Sequence, residues 1–165
     1  MTMEWVVAAG VGACVLAWGF SAWMTRRIEA AVPRDGHVVE VDGERFHYRD
    51  EGKGPPLVMI HGLMGSSRNL TYALSAQLRE HFRVITLDRP GSGYSTRHAG
   101  TAADLPGQAR QIARFMQTLG LDKPLVLGHS LGGAISLALA LDHPETVAGL
   151  VLVAPLIAVP ARFHA

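Results

Sequence analysis

The sequence predicts an α/β fold, a mostly parallel doubly wound sheet, preceded by an N-terminal transmembrane helix. Three features point to it. Residues 5–24, WVVAAGVGACVLAWGFSAWM, carry no charge. From residue 56 onward, short continuous apolar runs alternate with stretches whose apolar residues recur every three or four positions. Ahead of these lies an alternating segment interrupted by Asp42-Gly43.

The uncharged run comes first in the chain. As a helix it spans about 30 Å, the thickness of a bilayer's hydrocarbon core. Trp5 and Trp23 fall near its ends, where amphipathic rings favour the interface. A cleaved signal peptide would begin with basic residues, yet MTME has none, and the apolar run exceeds a usual signal core. A helix packed on the core of a small soluble domain would keep a polar face toward water, and this one has none. A retained single-pass anchor is therefore expected, associating with a membrane through residues 5–24. Arg26 and Arg27 follow at once and favour the cytoplasm for the rest of the chain by the positive-inside rule. Ala9, Ala13 and Ala17 form a small-residue stripe of a kind common by chance in Ala-rich spans. The expected organisation is an anchor at 1–25, a linker at 26–36 closed by Pro33 and Gly36, and one domain at 37–165.

Within that domain, Val39 and Val41 share a strand face, and so do Phe46 and Tyr48. Asp42-Gly43 between them is a type I′ hairpin signal. PLVMI (56–60) suits a strand buried on both faces. Leu70, Leu74, Leu78 and Phe82 predict a helix over 67–81, capped by Ser66 or Ser67. RVITL (83–87) is a second buried strand. Leu105, Ala109, Ile112, Met116 and Leu119 predict a helix over 104–119 that Gly120 ends. PLVLG (124–128) is a third strand, 131–142 a third helix, and VAGLVLVAP (147–155) a fourth strand, whose apolar edge would be exposed. Strands alternating with helices give a parallel sheet wound on both faces. Sites in such sheets lie at the carboxyl ends of the strands, here the loops after Ile60, Leu87, Leu127 and Val153.

Composition excludes several classes. Fifteen basic and fourteen acidic residues give a net charge of +1, which argues against a nucleic-acid partner. Cys14 is the one cysteine, so no intrachain disulfide, CxxC redox pair or zinc knuckle can form. No metal or organic cofactor is implied.

After Leu127 comes Gly128-His129-Ser130-Leu131-Gly132, a G-x-S-x-G sequence between a buried strand and a helix. The serine is expected on a strained turn that holds its hydroxyl at a helix N-terminus. Gly128 and Gly132 keep side chains out of a close approach. The plain alternative is a glycine-rich helix start with a capping serine. After Ile60 comes HGLMGSS, where Gly62 bends the chain away and turns the Leu63 amide toward the space above Ser130. With the Leu131 amide it would form an oxyanion hole. His61 is expected to orient this loop by hydrogen bonding, and His129 to be structural. After Leu87 comes DRPGSGYST. Gly91-Ser92-Gly93 is no dinucleotide fingerprint, because Thr96 stands where the third glycine would fall and no helix opens there. Asp88 is expected to anchor the loop by accepting from backbone N–H groups.

MIHGLMGSS, LDRPGSGYS and LVLGHSLGGA, in this order and spacing, resemble the α/β-hydrolase fold family over residues 37–155. The resemblance implies Ser130 as nucleophile and the Leu63 and Leu131 amides as oxyanion donors. It is strongest to members acting on esters and related acyl substrates. Dehalogenase- and epoxide-hydrolase-like relatives carry aspartate at the elbow, so a serine there implies acyl transfer.

The family's order is Ser, then acid, then His. Asp142-His143 lies a whole helix from Ser130, about 18 Å at 1.5 Å per residue, far beyond hydrogen-bond reach. His164 has no later acid to orient it. LIAVPARFHA resembles the opening of a lid, beyond which the family places the missing acid and histidine. The expectation is a partial, C-terminally truncated α/β-hydrolase domain with little turnover on these residues alone. Two alternatives share the fold: a non-catalytic remnant or binding protein, and a cofactor-free perhydrolase-like enzyme.

Overall fold

A computed structural model of the chain describes residues 3–157. It divides into two units, residues 1–35 and 36–165. In the first, helix α1 (Met3–Ala31) carries no charge over residues 5–24 and buries none of its residues within the unit. It is the one helix among the described residues long and apolar enough to cross a membrane, with a mean hydropathy of 1.7. It continues past the apolar run, so residues 26–31 of the expected linker are helical. The Arg27 guanidinium lies over the Trp23 ring, 5.1 Å from its centroid.

The second unit is built on six strands: β1 (His37–Val41), β2 (Glu44–Glu51), β3 (Pro56–Ile60), β4 (Arg83–Leu87), β5 (Leu125–His129) and β6 (Gly149–Val153). Their order across the sheet is β1-β2-β4-β3-β5-β6. β2 runs antiparallel to both neighbours, and the other pairings are parallel. The hairpin turns at Asp42 (φ 51°) and Gly43 (φ 81°), as a type I′ turn requires.

One face of the sheet is covered by α4 (Leu105–Thr118) and α5 (Leu131–Asp142). There Phe46, Val58, Ile85 and Val126 pack with Ile112, Phe115, Ile135 and Leu139. Phe46 stacks on Phe115 with centroids 5.2 Å apart. Asp104 caps α4, its carboxylate accepting from the Gly107 amide at 3.0 Å. On the other face Leu57, Met59, Val84 and Leu127 meet Leu70, Leu74 and Leu78.

Those three leucines do not lie on one regular helix as their spacing predicts. The segment is α2 (Ser67–Leu70), a π-wound turn (Thr71–Ser75) and α3 (Ala76–Leu78). Hydroxyls compete for the backbone carbonyls here: Thr71 donates to Arg68 O at 3.2 Å and Ser75 to Thr71 O at 3.1 Å. The widened turn still places Leu70 and Leu74 against the sheet. At the opposite edge β6 leaves Val151, Leu152 and Val153 exposed, and a short 3-10 turn (Pro144–Thr146) leads into it.

Candidate active site

The carboxyl ends of β3, β4 and β5 converge on Ser130. Its backbone has φ 53° and ψ −118°, a conformation that non-glycine residues rarely adopt. Four backbone hydrogen bonds hold it there. Its N–H donates to Val153 O at 3.0 Å, and its carbonyl accepts from Gly133, Ala134 and Leu156 at 2.9, 3.2 and 2.9 Å. The strain is therefore carried jointly by α5 and by the segment that follows β6.

The elbow glycines have separate reasons. A Cβ at Gly128 would run into Ser136 Oγ and lie 2.5 Å from Gly132 O. A Cβ at Gly132 would strike the Ile60 carbonyl and lie 2.7 Å from His61 O, so Gly132 lets α5 start against the end of β3. Gly133, passed over in the sequence, keeps the helix clear of Pro155, whose Cβ would stand 2.8 Å from a side chain there.

The loop after β3 lies directly over the elbow. A Cβ at Gly62 would be 3.1 Å from Ser130 Cβ and 3.2 Å from His129 Nδ1. His61, fully buried, orients this loop rather than reaching the serine. Its Nδ1–H donates to Gly62 O at 2.8 Å and its Nε2 accepts from the Arg89 amide at 3.0 Å. Burial drives its pKa down to about 4, so the ring is neutral at physiological pH. No hydrogen bond joins the Ser130 hydroxyl to a histidine among the described residues. His143 caps the far end of an intact α5, and His164 lies outside the described residues.

Asp88, at the end of β4, is a buried hub. Its Oδ1 accepts from the Ser67 amide at 2.6 Å. Its Oδ2 accepts from the Tyr94 amide at 3.0 Å and from His47 Nδ1 at 2.8 Å. Burial alone would raise its pKa, but these donors outweigh it and hold the carboxyl below its ordinary value. Gly93 is required because a Cβ there would overlap the Asp88 carboxylate. The loop-anchoring role expected of Asp88 is thus realised, with His47 as a partner that the sequence left as one more strand residue.

Arg89 is a further residue that the sequence did not single out. Its guanidinium is buried, donating Nε–H to His61 O at 3.0 Å, Nη2–H to Gly62 O at 2.9 Å and Nη1–H to Gln108 Oε1 at 2.8 Å. Burial lowers its pKa, though an arginine stays charged. The sequence signal was the position itself, a cation next to the buried carboxyl end of β4.

A cavity of about 330 Å³ opens beside Ser130. Leu63, Leu70, Leu74, Leu127 and Val153 line it, with Asn69 and His129 as polar groups. Leu63 lines this space, and Leu131 follows Ser130 as the first residue of α5; neither amide donates to a backbone carbonyl among the loop and cap hydrogen bonds of the described residues.

Residues 55–164 match the family model described as the alpha/beta hydrolase fold. The chain belongs to that family. Over 109 residues it is 38% identical to haloalkane dehalogenase 2 of Mycobacterium bovis, covering 66% of this chain and 37% of that protein. Over 116 residues it is 37% identical to the pimeloyl-(acyl-carrier protein) methyl ester esterase of Aeromonas salmonicida, covering 70% of this chain and 42% of the esterase. A solved structure of a membrane phospholipase A, described as a bacterial virulence factor, superposes with a TM-score of 0.71 at 31% identity. That match covers 97% of this chain and 53% of the phospholipase. The hydrolase chain therefore spans between a third and about half of these relatives' lengths.

Proposed function

We propose that this α/β hydrolase is a membrane-anchored serine hydrolase acting on an ester or related acyl substrate. The observation that carries the reading is Ser130. A serine is held at φ 53° at a helix N-terminus, beside a largely apolar cavity. In this reading Ser130 Oγ attacks the substrate carbonyl carbon as its proton passes to a base outside the described residues. The carbonyl oxygen becomes an oxyanion held by the Leu63 and Leu131 amides. Collapse expels the alcohol, which takes up the proton, and water then releases the acid from the acyl-serine.

The relatives named as a methyl ester esterase and a phospholipase support an acyl substrate. The similarity to a dehalogenase does not extend to the chemistry proposed here, because the elbow residue is serine. The leucine-lined cavity suits the apolar chain of an acyl group. The apolar helix α1 supports tethering, with the Arg26–Arg27 pair favouring a cytoplasmic domain.

The test is hydrolysis by the membrane-bound protein, with that base present, of p-nitrophenyl acyl esters against halide release from 1-chlorobutane. Ester hydrolysis abolished by Ser130→Ala, with no halide released, is expected. Halide release, or ester hydrolysis that survives Ser130→Ala, would contradict the reading. The protein should also resist extraction by alkaline carbonate, and its release into the wash would refute the anchor.

A further inference from the structure

Arg89 binds the loop over Ser130 at one particular atom. The Gly62 carbonyl oxygen receives three hydrogen bonds, from Arg89 Nη2 at 2.9 Å, from His61 Nδ1 at 2.8 Å and, longer, from the Gly65 amide of its own turn at 3.4 Å. That carbonyl and the Leu63 N–H belong to the same planar peptide group, and in a trans peptide they point in opposite directions. The described chain contains no cis peptide bond. The two shorter bonds, from the buried His61 and Arg89 side chains, pull the oxygen into the protein, fix the plane and turn the Leu63 N–H outward. Outward is the cavity beside Ser130, which Leu63 lines and where the residue is 68% exposed.

We propose that Arg89 is a positioning residue that aims and polarises the Leu63 amide as an oxyanion donor through the shared Gly62–Leu63 peptide group. The proposal rests on Leu63 serving as such a donor. The guanidinium is well made for the task. Its three arms reach three different acceptors, two of them successive carbonyls of the turn, so its orientation is locked. Gln108 holds the third arm from α4 and is itself fixed by donating Nε2–H to Ala103 O at 2.7 Å. A cation hydrogen-bonded to a carbonyl draws electron density along the peptide and makes the attached N–H a stronger donor. Lysine would keep the charge but lose the fork that spans both carbonyls.

The peptide group can be observed directly. Labelling with 13C′-glycine and 15N-leucine isolates three Gly-Leu linkages in this chain: 62–63, 120–121 and 149–150. In Arg89→Lys, and in the milder Gln108→Leu should the first not fold, the 62–63 correlation is expected to move in both nuclei. The other two linkages should stay in place. A parallel measurement follows fluorophosphonate capture of Ser130, whose adduct places an oxygen where the oxyanion forms. The capture rate constant should fall about tenfold or more while the probe's non-covalent affinity is unchanged. A 62–63 correlation that stays in place, or a capture rate equal to that of the unaltered protein, would overturn the proposal. Failure of the unaltered protein to be captured at Ser130 would instead overturn the proposed function, and the correlation would still decide whether Arg89 controls this peptide group.

Discussion

The elbow at 128–133 and the loop that overlies it, 61–65, are held by opposite means. The elbow is fixed by backbone hydrogen bonds and by the absence of side chains at Gly128, Gly132 and Gly133. The overlying loop is fixed by buried polar side chains: His61 and Arg89 grip its carbonyls, and Asp88 grips the start of α2 at Ser67. Steric fixation tolerates almost any solution condition but no added atom. Polar fixation tolerates small shape changes but depends on protonation and on every partner being present.

Removing a polar hub should have the largest effect. Asp88→Ala leaves the Ser67 and Tyr94 amides and His47 without their buried acceptor. A loss of about 4 kcal/mol in urea unfolding is expected, from the cost of stranding buried donors. A loss below about 1 kcal/mol would mean that the hub contributes little.

Acid should loosen the loop next. Folded His61 takes up its proton only near pH 4, whereas the unfolded ring does so near 6.5. Between these values the unfolded chain binds more protons, so stability falls as the pH drops through this window and is unaffected above it. The difference amounts to about 3 kcal/mol by pH 4. Unfolding titrations from pH 7 to 4 should show this slope, and His61→Gln should flatten it.

The elbow should respond to volume rather than to pH. Gly132→Ala pushes a methyl into the Ile60 carbonyl and should cost about 2 kcal/mol. That cost should be the same at pH 7 and pH 5. A pH-dependent cost would break the distinction between the two regions. The smallest effect has the opposite sign. Ser130→Gly removes a side chain from a backbone at φ 53°. Relief of strain, less the entropy that glycine brings, should raise stability by about 1 kcal/mol. No gain in melting temperature would mean that the elbow stores no strain.

The same contrast explains what the sequence made legible. The strand runs, the Asp42-Gly43 hairpin and G-x-S-x-G are local patterns, each readable because a backbone geometry demands particular residues nearby. The helix expected over 67–81 was right in the leucines it turns toward the sheet and wrong in its winding. Hydroxyl-to-carbonyl bonding by Thr71 and Ser75 is invisible to hydrophobic periodicity. At the site, Asp88 was legible as a loop anchor because Asp before a glycine-rich turn has a local signature. Arg89, His47 and Gln108 were not, since their partners lie 28, 41 and 19 residues away and meet only in the folded sheet. Gly133 escaped notice because the atom it avoids belongs to Pro155, on another strand's loop.

The most direct measurement on the central claim is site mapping by mass spectrometry after fluorophosphonate treatment of the protein in its membranes, with the general base that the proposed mechanism requires present. The account predicts one adduct, on Ser130, absent in Ser130→Ala. The absence of any adduct, or an adduct on another serine with Ser130 unmodified, would contradict it.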